Sequence, residues 1–270
     1  MAKEIINEMD AAKLFSVKDK VILVIGAGGL GGHLSKVFAA NGAEVIITGR
    51  NMAKLEALKK AIAAEGITAD IDAYELHIED KSSIQAVVDD VVKKHGRIDV
   101  MWNTVGVVKH AKCEDFSEED VRETFDVNLI GAIYATQVVA KAMIPNNGGK
   151  IINVGSAGGL NVTSYLSAMY GISKAGMHYM TRAFALGLAE YNINVNCLVP
   201  TGIDTPMNSE ENRKLMASKY YFRRMSLASD YAGAGLYMSS DASNYMSGHM
   251  FVVDGAESAG SPWNMPKLED

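Results

Sequence analysis

The apolar run Val21-Ile22-Leu23-Val24-Ile25 passes directly into Gly26-Ala27-Gly28-Gly29-Leu30-Gly31-Gly32, and residues 33–41 then have helix-forming composition. No other stretch constrains the fold as much. The spacing is Gly-x-Gly-x-x-Gly between a strand and a helix, and each glycine has a task there. Gly26 permits the tight turn, Gly28 leaves room for a pyrophosphate beside the backbone, and Gly31 lets helix and strand pack closely. Gly29 and Leu30 complete the loop, so that the helix N-terminus beyond it faces anionic groups. A merely flexible loop is the plainer alternative, but it gives no reason for the strand before and the helix after.

Apolar runs, mostly rich in β-branched residues, recur at 45–47, 98–101, 151–154, 195–199 and 251–253, with a weaker one at 71–77. Between them, 52–65, 82–95 and 167–190 carry apolar residues at helical spacing and are long enough for crossovers. This alternation predicts an α/β fold: a Rossmann-type, doubly wound parallel sheet of about seven strands with helices on both faces. Its ligand site is expected at the C-terminal ends of the strands. The 270 residues suit one domain, placed at 17–256, between an N-terminal extension at 1–16 with a short helix and a tail at 257–270.

Hydrophobic residues make up 48% of the chain, enough for a packed core. A net charge of −6 without a dense Lys/Arg run gives no attraction for nucleic acid or an anionic membrane. Lys3, Glu4, Glu8, Asp10 and Lys13 stand where a secretory signal would be apolar, and no run of about 18 apolar residues is evident. Cys113 and Cys197 form no disulfide framework, and the scattered histidines form no metal site. A cytoplasmic protein acting on a small molecule, without a catalytic metal, is expected.

A dinucleotide lacking a 2′-phosphate usually meets an Asp or Glu about 20 residues beyond the glycines, at the end of the second strand. Here that corner reads Thr48-Gly49-Arg50. No carboxylate repels a 2′-phosphate and Arg50 can pair with one, so NADP is expected over NAD. With Arg50 as a solvated surface residue, NAD stays open.

Tyr170-Gly171-Ile172-Ser173-Lys174 opens a predicted helix, and the spacing of four puts phenol and ammonium on one face. A free phenol titrates near ~10, and the Lys174 cation is expected to lower that value. Ser156 follows the run at 151–154, at the ligand-bearing edge, where its hydroxyl can hold a substrate oxygen. Asn128, an amide among apolar residues, needs a partner if buried and can bind a water that feeds protons to Lys174. Ser156 as a turn cap and Asn128 satisfying a backbone carbonyl are the plainer readings.

With Val195-Asn196-Cys197-Leu198-Val199-Pro200, Ser247-Gly248 and Val252-Val253-Asp254-Gly255 added, the chain resembles the short-chain dehydrogenase/reductase family over nearly its whole length, in the branch of short single-domain subunits. The resemblance implies hydride transfer between a nicotinamide and a secondary alcohol or ketone. Tyr170 would give or take the hydroxyl proton, Ser156 orient the oxygen, Lys174 also bind the nicotinamide ribose, and Asn128 complete a proton relay. Ile203 and Thr205 would contact the cofactor's carboxamide end, and a homotetramer would form through the long helices after the fourth and fifth strands.

Four departures stand out. The glycine loop is one residue short, with Ile25 in place of a threonine. Asn103-Thr104-Val105-Gly106 replaces Asn-Asn-Ala-Gly and is expected to pack under the adenosine ribose through Asn103 and Gly106. His77 replaces an aspartate that contacts adenine, and Pro200-Thr201-Gly202 replaces Pro-Gly. Residues 207–230 form the expected lid; Leu215, Met216, Tyr220, Tyr221, Phe222 and Met225 point to a bulky apolar substrate such as a hydroxysteroid. Lys109, His110, Arg213 and Arg223 keep an acidic sugar open, as for gluconate 5-dehydrogenases, and a 3-oxoacyl thioester is a further alternative. A catalytically silent dinucleotide sensor, a reading of another class, is opposed by the intact Tyr170 and Lys174.

Overall fold

In the computed structural model, which describes residues 10–204 and 209–259, the apolar runs become β1 Val21–Ile25, β2 Glu44–Gly49, β3 Ile71–Glu75, β4 Val100–Asn103, β5 Gly149–Val154, β6 Ile193–Pro200 and β7 Met250–Val253. They pair in parallel in the order β3-β2-β1-β4-β5-β6-β7. The expected doubly wound sheet is therefore present. The fourth strand starts two residues later than its apolar run, because the Asp99 carboxylate takes the Val21 N–H at 2.8 Å where the ladder begins.

The helices are α1 Ala11–Leu14, α2 Gly29–Ala40, α3 Met52–Ala64, α4 Lys81–His95, α5 Glu118–Phe125, α6 Gly131–Met143, α7 Ala168–Leu188, α8 Glu210–Ala217 and α9 Ala232–Ser239. Side chains start several of them: Asn51 caps α3, Asp80 caps α4 and Ser117 caps α5. A π-helix, Asp126–Ile130, joins α5 to α6. The stretch Glu118–Asn146 is long and apolar enough to cross a membrane by composition, closer to that limit than the sequence reading allowed. Just over half of its apolar window, 56%, is buried inside the fold, which makes it a core helix.

Alternation along the strands divides the core into two layers. Leu23, Ile25, Ile46, Met101, Ile151 and Val195 face α4, α6 and α7, while Ile22, Val24, Ile47, Trp102, Ile152 and Leu198 face α2, α3 and α9. Each fully buried side chain of this kind contributes about 1.5–3 kcal/mol. The Trp102 indole also donates to Ser239 Oγ at 2.9 Å, which fixes α9 over the sheet. These layers hold the C-terminal ends of β1, β4, β5 and β6 rigidly side by side.

Candidate active site

Helices leave β1 and β4 toward opposite faces, so their C-terminal ends part and open a crevice. A cleft of about 500 Å³ lies there, lined by residues 25–30, 48–51, 54–55, 76, 78–79, 104–107 and 127. Gly26 has φ 91°, a conformation that favours glycine, and a Cβ on Gly31 would collide with the Gly26 carbonyl. At Gly28 and Gly29, by contrast, a Cβ would meet nothing within 4 Å. Gly28 is the N-cap of α2 and no side chain caps that helix, so its first N–H groups need an external acceptor. An anionic group in the cleft supplies one, and these residues fit a dinucleotide.

Arg50 and Lys54 also line the cleft, and neither forms an ion pair with a described residue. Lys54 was missed in the sequence, although its place one helical turn beyond Arg50 was a usable signal. Gly106 lines the cleft, whereas Asn103 does not. Its amide is buried, donates to Asn153 Oδ1 at 3.3 Å and accepts from Val105 N at 3.2 Å. Asn103 thus shapes the loop from beneath. Ile203 pairs in a one-residue bridge with Ser226 and packs against the second core layer, outside this cleft. Thr205 lies outside the described residues.

Beyond Gly106 the cleft meets the catalytic candidates. Lys174 Nζ and Asn128 Oδ1 would lie 3.4 and 3.6 Å from a Cβ at Gly106, which places both behind that glycine. Lys174 is buried and donates to the Val154 carbonyl at 2.7 Å. Asn128 sits in the π-helix, its Oδ1 accepting from Val107 N and its Nδ2 donating to Val107 O, both at 2.8 Å, and to Ser173 Oγ at 3.1 Å. Its side chain therefore pins the loop after β4 to α7. Ser156 caps the short turn after β5, accepting from Gly158 N at 3.1 Å, and also hydrogen-bonds the Tyr170 phenol.

Lys174 Nζ is 5.7 Å from the centre of the Tyr170 ring. The expectation of a lowered phenol pKa is reversed. Burial pushes Tyr170 up, and the Ser156 hydrogen bond only partly opposes it. Burial also pushes Lys174 down to about 8. One turn further, His178 is buried and pushed down to about 4 by burial and the Lys174 charge, so it stays neutral near pH 7. The arrangement holds a protonated phenol beside a hydroxyl, with a lysine behind: a proton donor and an anchor for one carbonyl oxygen.

The loops after β4 and β5 and the lid form a rim that carries exposed apolar side chains. Val162 is 87% exposed, Phe222 68% and Tyr165 64%, with Val108, Leu160 and Leu166 also exposed. The rim loops are tied together, as Ala111 N donates to Leu166 O, Asn161 Nδ2 to Ser258 O and Tyr221 N to Glu257 Oε1. Beneath the lid, a cavity of about 160 Å³ is lined by Thr201, Tyr220, Phe222, Val253 and Glu257 among others. The basic residues considered for an acidic sugar are largely engaged: Lys109 lies 2.6 Å from Glu123, Arg213 pairs with Asp204 at 2.8 Å, and Arg223 donates to Ser218 O at 3.1 Å.

Comparison with known proteins accords with this geometry. The family model described as short chain dehydrogenase matches residues 20–216. The 3-oxoacyl-[acyl-carrier-protein] reductase of Thermotoga maritima is 36% identical over 88% of this chain and 98% of its own length. The gluconate 5-dehydrogenase of Gluconobacter oxydans is 30% identical over 92% and 98%. Among solved structures, a gluconate 5-dehydrogenase from Burkholderia cenocepacia in complex with NADP and tartrate superposes with a TM-score of 0.85 at 25% identity, covering 93% of this chain and all of that one.

Proposed function

Because the chain belongs to the short-chain dehydrogenase/reductase family, whose members are oxidoreductases acting on CH–OH or carbonyl groups with NAD(P), we propose that it interconverts a bulky, largely apolar ketone and its secondary alcohol, with NADP preferred. The exposed apolar side chains of the loops after β4 and β5 and of the lid, Val108, Leu160, Val162, Tyr165, Leu166 and Phe222, together with the Ser156–Tyr170 pair, carry this reading. A hydroxysteroid is the substrate class that suits it best. A 3-oxoacyl thioester is the second reading, favoured by the Thermotoga relative. The acidic sugar is disfavoured by the engagement of Lys109 and Arg213 with carboxylates.

Arg50 and Lys54, which form no ion pair among the described residues, support NADP, since each can meet a 2′-phosphate without first breaking such a pair. The bound nicotinamide would supply or accept the hydride. The protein's part is positional and protic: Ser156 holds the carbonyl oxygen, and Tyr170 gives it a proton in reduction and takes one back in oxidation. The raised pKa of Tyr170 keeps its proton in place at neutral pH, which suits reduction. Lys174, held by Val154 O behind Gly106, stands where it can meet the nicotinamide ribose and compensate charge on the phenol. Asn128 fixes the loop that borders both.

Assembly follows from α7. Ile172, Tyr179 and Leu186 recur every seven residues on its outer face, and Tyr179 and Leu186 are 73% and 83% exposed. Met177, Met180 and Phe184 instead pack inward with Ala132 and Leu129. The outer stripe supports an oligomer, and a homotetramer is the expected form. For the reaction, the test is NADPH consumption at 340 nm against ketosteroids, 3-oxoacyl thioesters and keto sugar acids. Turnover of ketosteroids supports the first reading, turnover of thioesters alone moves the substrate to the second, and turnover of keto sugar acids alone overturns the apolar assignment.

A further inference from the structure

The turn that carries Ser156 lies along one stripe of α7, where Gly171, Ala175 and His178 stand at helical spacing. At the first two positions backbone meets backbone. A Cβ on Gly171 would lie 3.0 Å from the Gly158 carbonyl oxygen, and one on Gly159 would lie 2.8 Å from the Lys174 carbonyl carbon and 2.9 Å from Ala175 N. At the third a side chain intervenes. A Cβ on Gly155 would collide with His178 Nε2, and one on Gly159 would lie 2.8 Å from His178 Cε1, so the tip of the imidazole touches both ends of the turn. His178 is only 4% exposed. The Gly159 carbonyl faces its ring, yet neither ring nitrogen completes a well-formed hydrogen bond with a described residue.

A buried polar group whose hydrogen bonds are unspent calls for a reason. The surroundings of His178 supply one in its shape. Gly155 is tied on its other side, where its N–H donates to Leu198 O at 2.8 Å, and Gly159 N–H donates to Ser156 O at 2.9 Å. Between these ties Ser156 is extended, with its hydroxyl against Gly158 N and the Tyr170 phenol. We propose that His178 is a positioning residue for Ser156: the flat tip of its imidazole, wedged against Gly155 and Gly159, sets the height of the turn above α7 and so aims the hydroxyl at the substrate oxygen. Burial and the Lys174 charge keep the ring neutral, so it adds no charge beside that lysine. The glycines at 155 and 159 are the counterpart of His178, since a side chain at either would displace the ring. This inference rests on the role given to Ser156 in the proposed reduction and adds the group that holds it.

The test is a double-mutant cycle on kcat, measured with saturating NADPH and a ketone accepted by the parent protein, for the parent, His178→Ala, Ser156→Ala and the double variant. His178→Ala is expected to lower kcat by about 10–100-fold, the scale of a misplaced reacting group, and to leave the NADPH Kd unchanged. In the Ser156→Ala background the same substitution should change kcat by less than about twofold, because the hydroxyl it acts through is gone. His178→Gln, which carries a flat tip toward the place of Nε2 and no titratable group, should recover most of the lost rate. Should the alanine variant not fold, His178→Val, whose side chain stops short of both glycines, takes its place in the cycle. Equal losses in the two backgrounds, a His178→Ala protein working at the parent rate, or a glutamine variant no faster than the alanine one overturns the inference while the reaction stands. A Ser156→Ala protein that works at the parent rate overturns the role of Ser156 and this inference with it.

Discussion

Along the cofactor cleft, backbone touches backbone: Gly31 packs on the Gly26 carbonyl, no side chain caps α2, and Arg50 and Lys54 are without ion-pair partners among the described residues. Across the substrate rim the order is reversed. The lid is tied down by side chains, Arg213 to Asp204 and Arg224 to Asp230, while apolar groups such as Val162 and Phe222 stand in solvent. The difference teaches where each region tolerates change. A cleft made from absent side chains fails when one is added, whereas a rim made from exposed side chains changes what it selects.

The sharpest break of that contrast is Gly31→Ala. Its Cβ meets the Gly26 carbonyl, and a backbone neighbour cannot move aside cheaply, so about 2–4 kcal/mol of stability should be lost in thermal or denaturant unfolding. Gly28→Ala, where nothing lies within 4 Å, should unfold like the parent and yet bind dinucleotide far less tightly in a fluorescence titration. If the two variants behaved alike, the distinction between packing glycine and ligand glycine would fail.

Next in size is Arg50→Ala, which should weaken NADPH by about tenfold or more and leave NADH within about twofold, as expected for one lost charge-assisted contact. Equal loss for both cofactors would reduce Arg50 to a surface charge. On the other side of the comparison, Phe222→Ala should raise KM for a bulky apolar ketone several-fold, leave the NADPH Kd unchanged and move stability by less than about 0.5 kcal/mol, because the ring is largely exposed.

A pH profile sharpens the contrast further. Lys174 titrates at about 8, below its ordinary 10.5. Its cation is present below that value and lost above it, so kcat/KM for reduction should be flat near neutrality and fall as pH rises through about 8. The sign for stability is opposite: the unfolded chain keeps this proton to higher pH, so between about 8 and 10.5 this lysine makes the folded state relatively more stable as pH rises. Rates that rise steadily through pH 8 to 9 would contradict the role given to Lys174.

What could be read in advance was what local patterning encodes. The β-branched runs, the helical spacing of 170 and 174, and the glycine turn all depend on residues within a few positions of one another, and the sheet formed as they require. What could not be read in advance involves partners that only the folded chain brings together. Asn103 turns into the sheet because Asn153 stands beside it on the neighbouring strand. Lys109 is taken by Glu123, and Arg213 by Asp204, only once the chain has folded. Tyr170 is raised rather than lowered because burial, a property of the whole packing, outweighs the neighbouring charge. The π-helix around Asn128 has no glycine or proline to announce it between 118 and 130.

The most direct measurement is single-turnover oxidation of NADPH, followed at 340 nm with a ketone accepted by the parent protein, for the parent and for Tyr170→Phe. Removing only the phenolic hydroxyl should cut the chemical step by about 10²–10⁴-fold while leaving the NADPH Kd and the melting temperature unchanged. A Tyr170→Phe protein that reduces the ketone at the parent rate would contradict the account, because the proton would then reach the substrate by a route that does not pass through Tyr170.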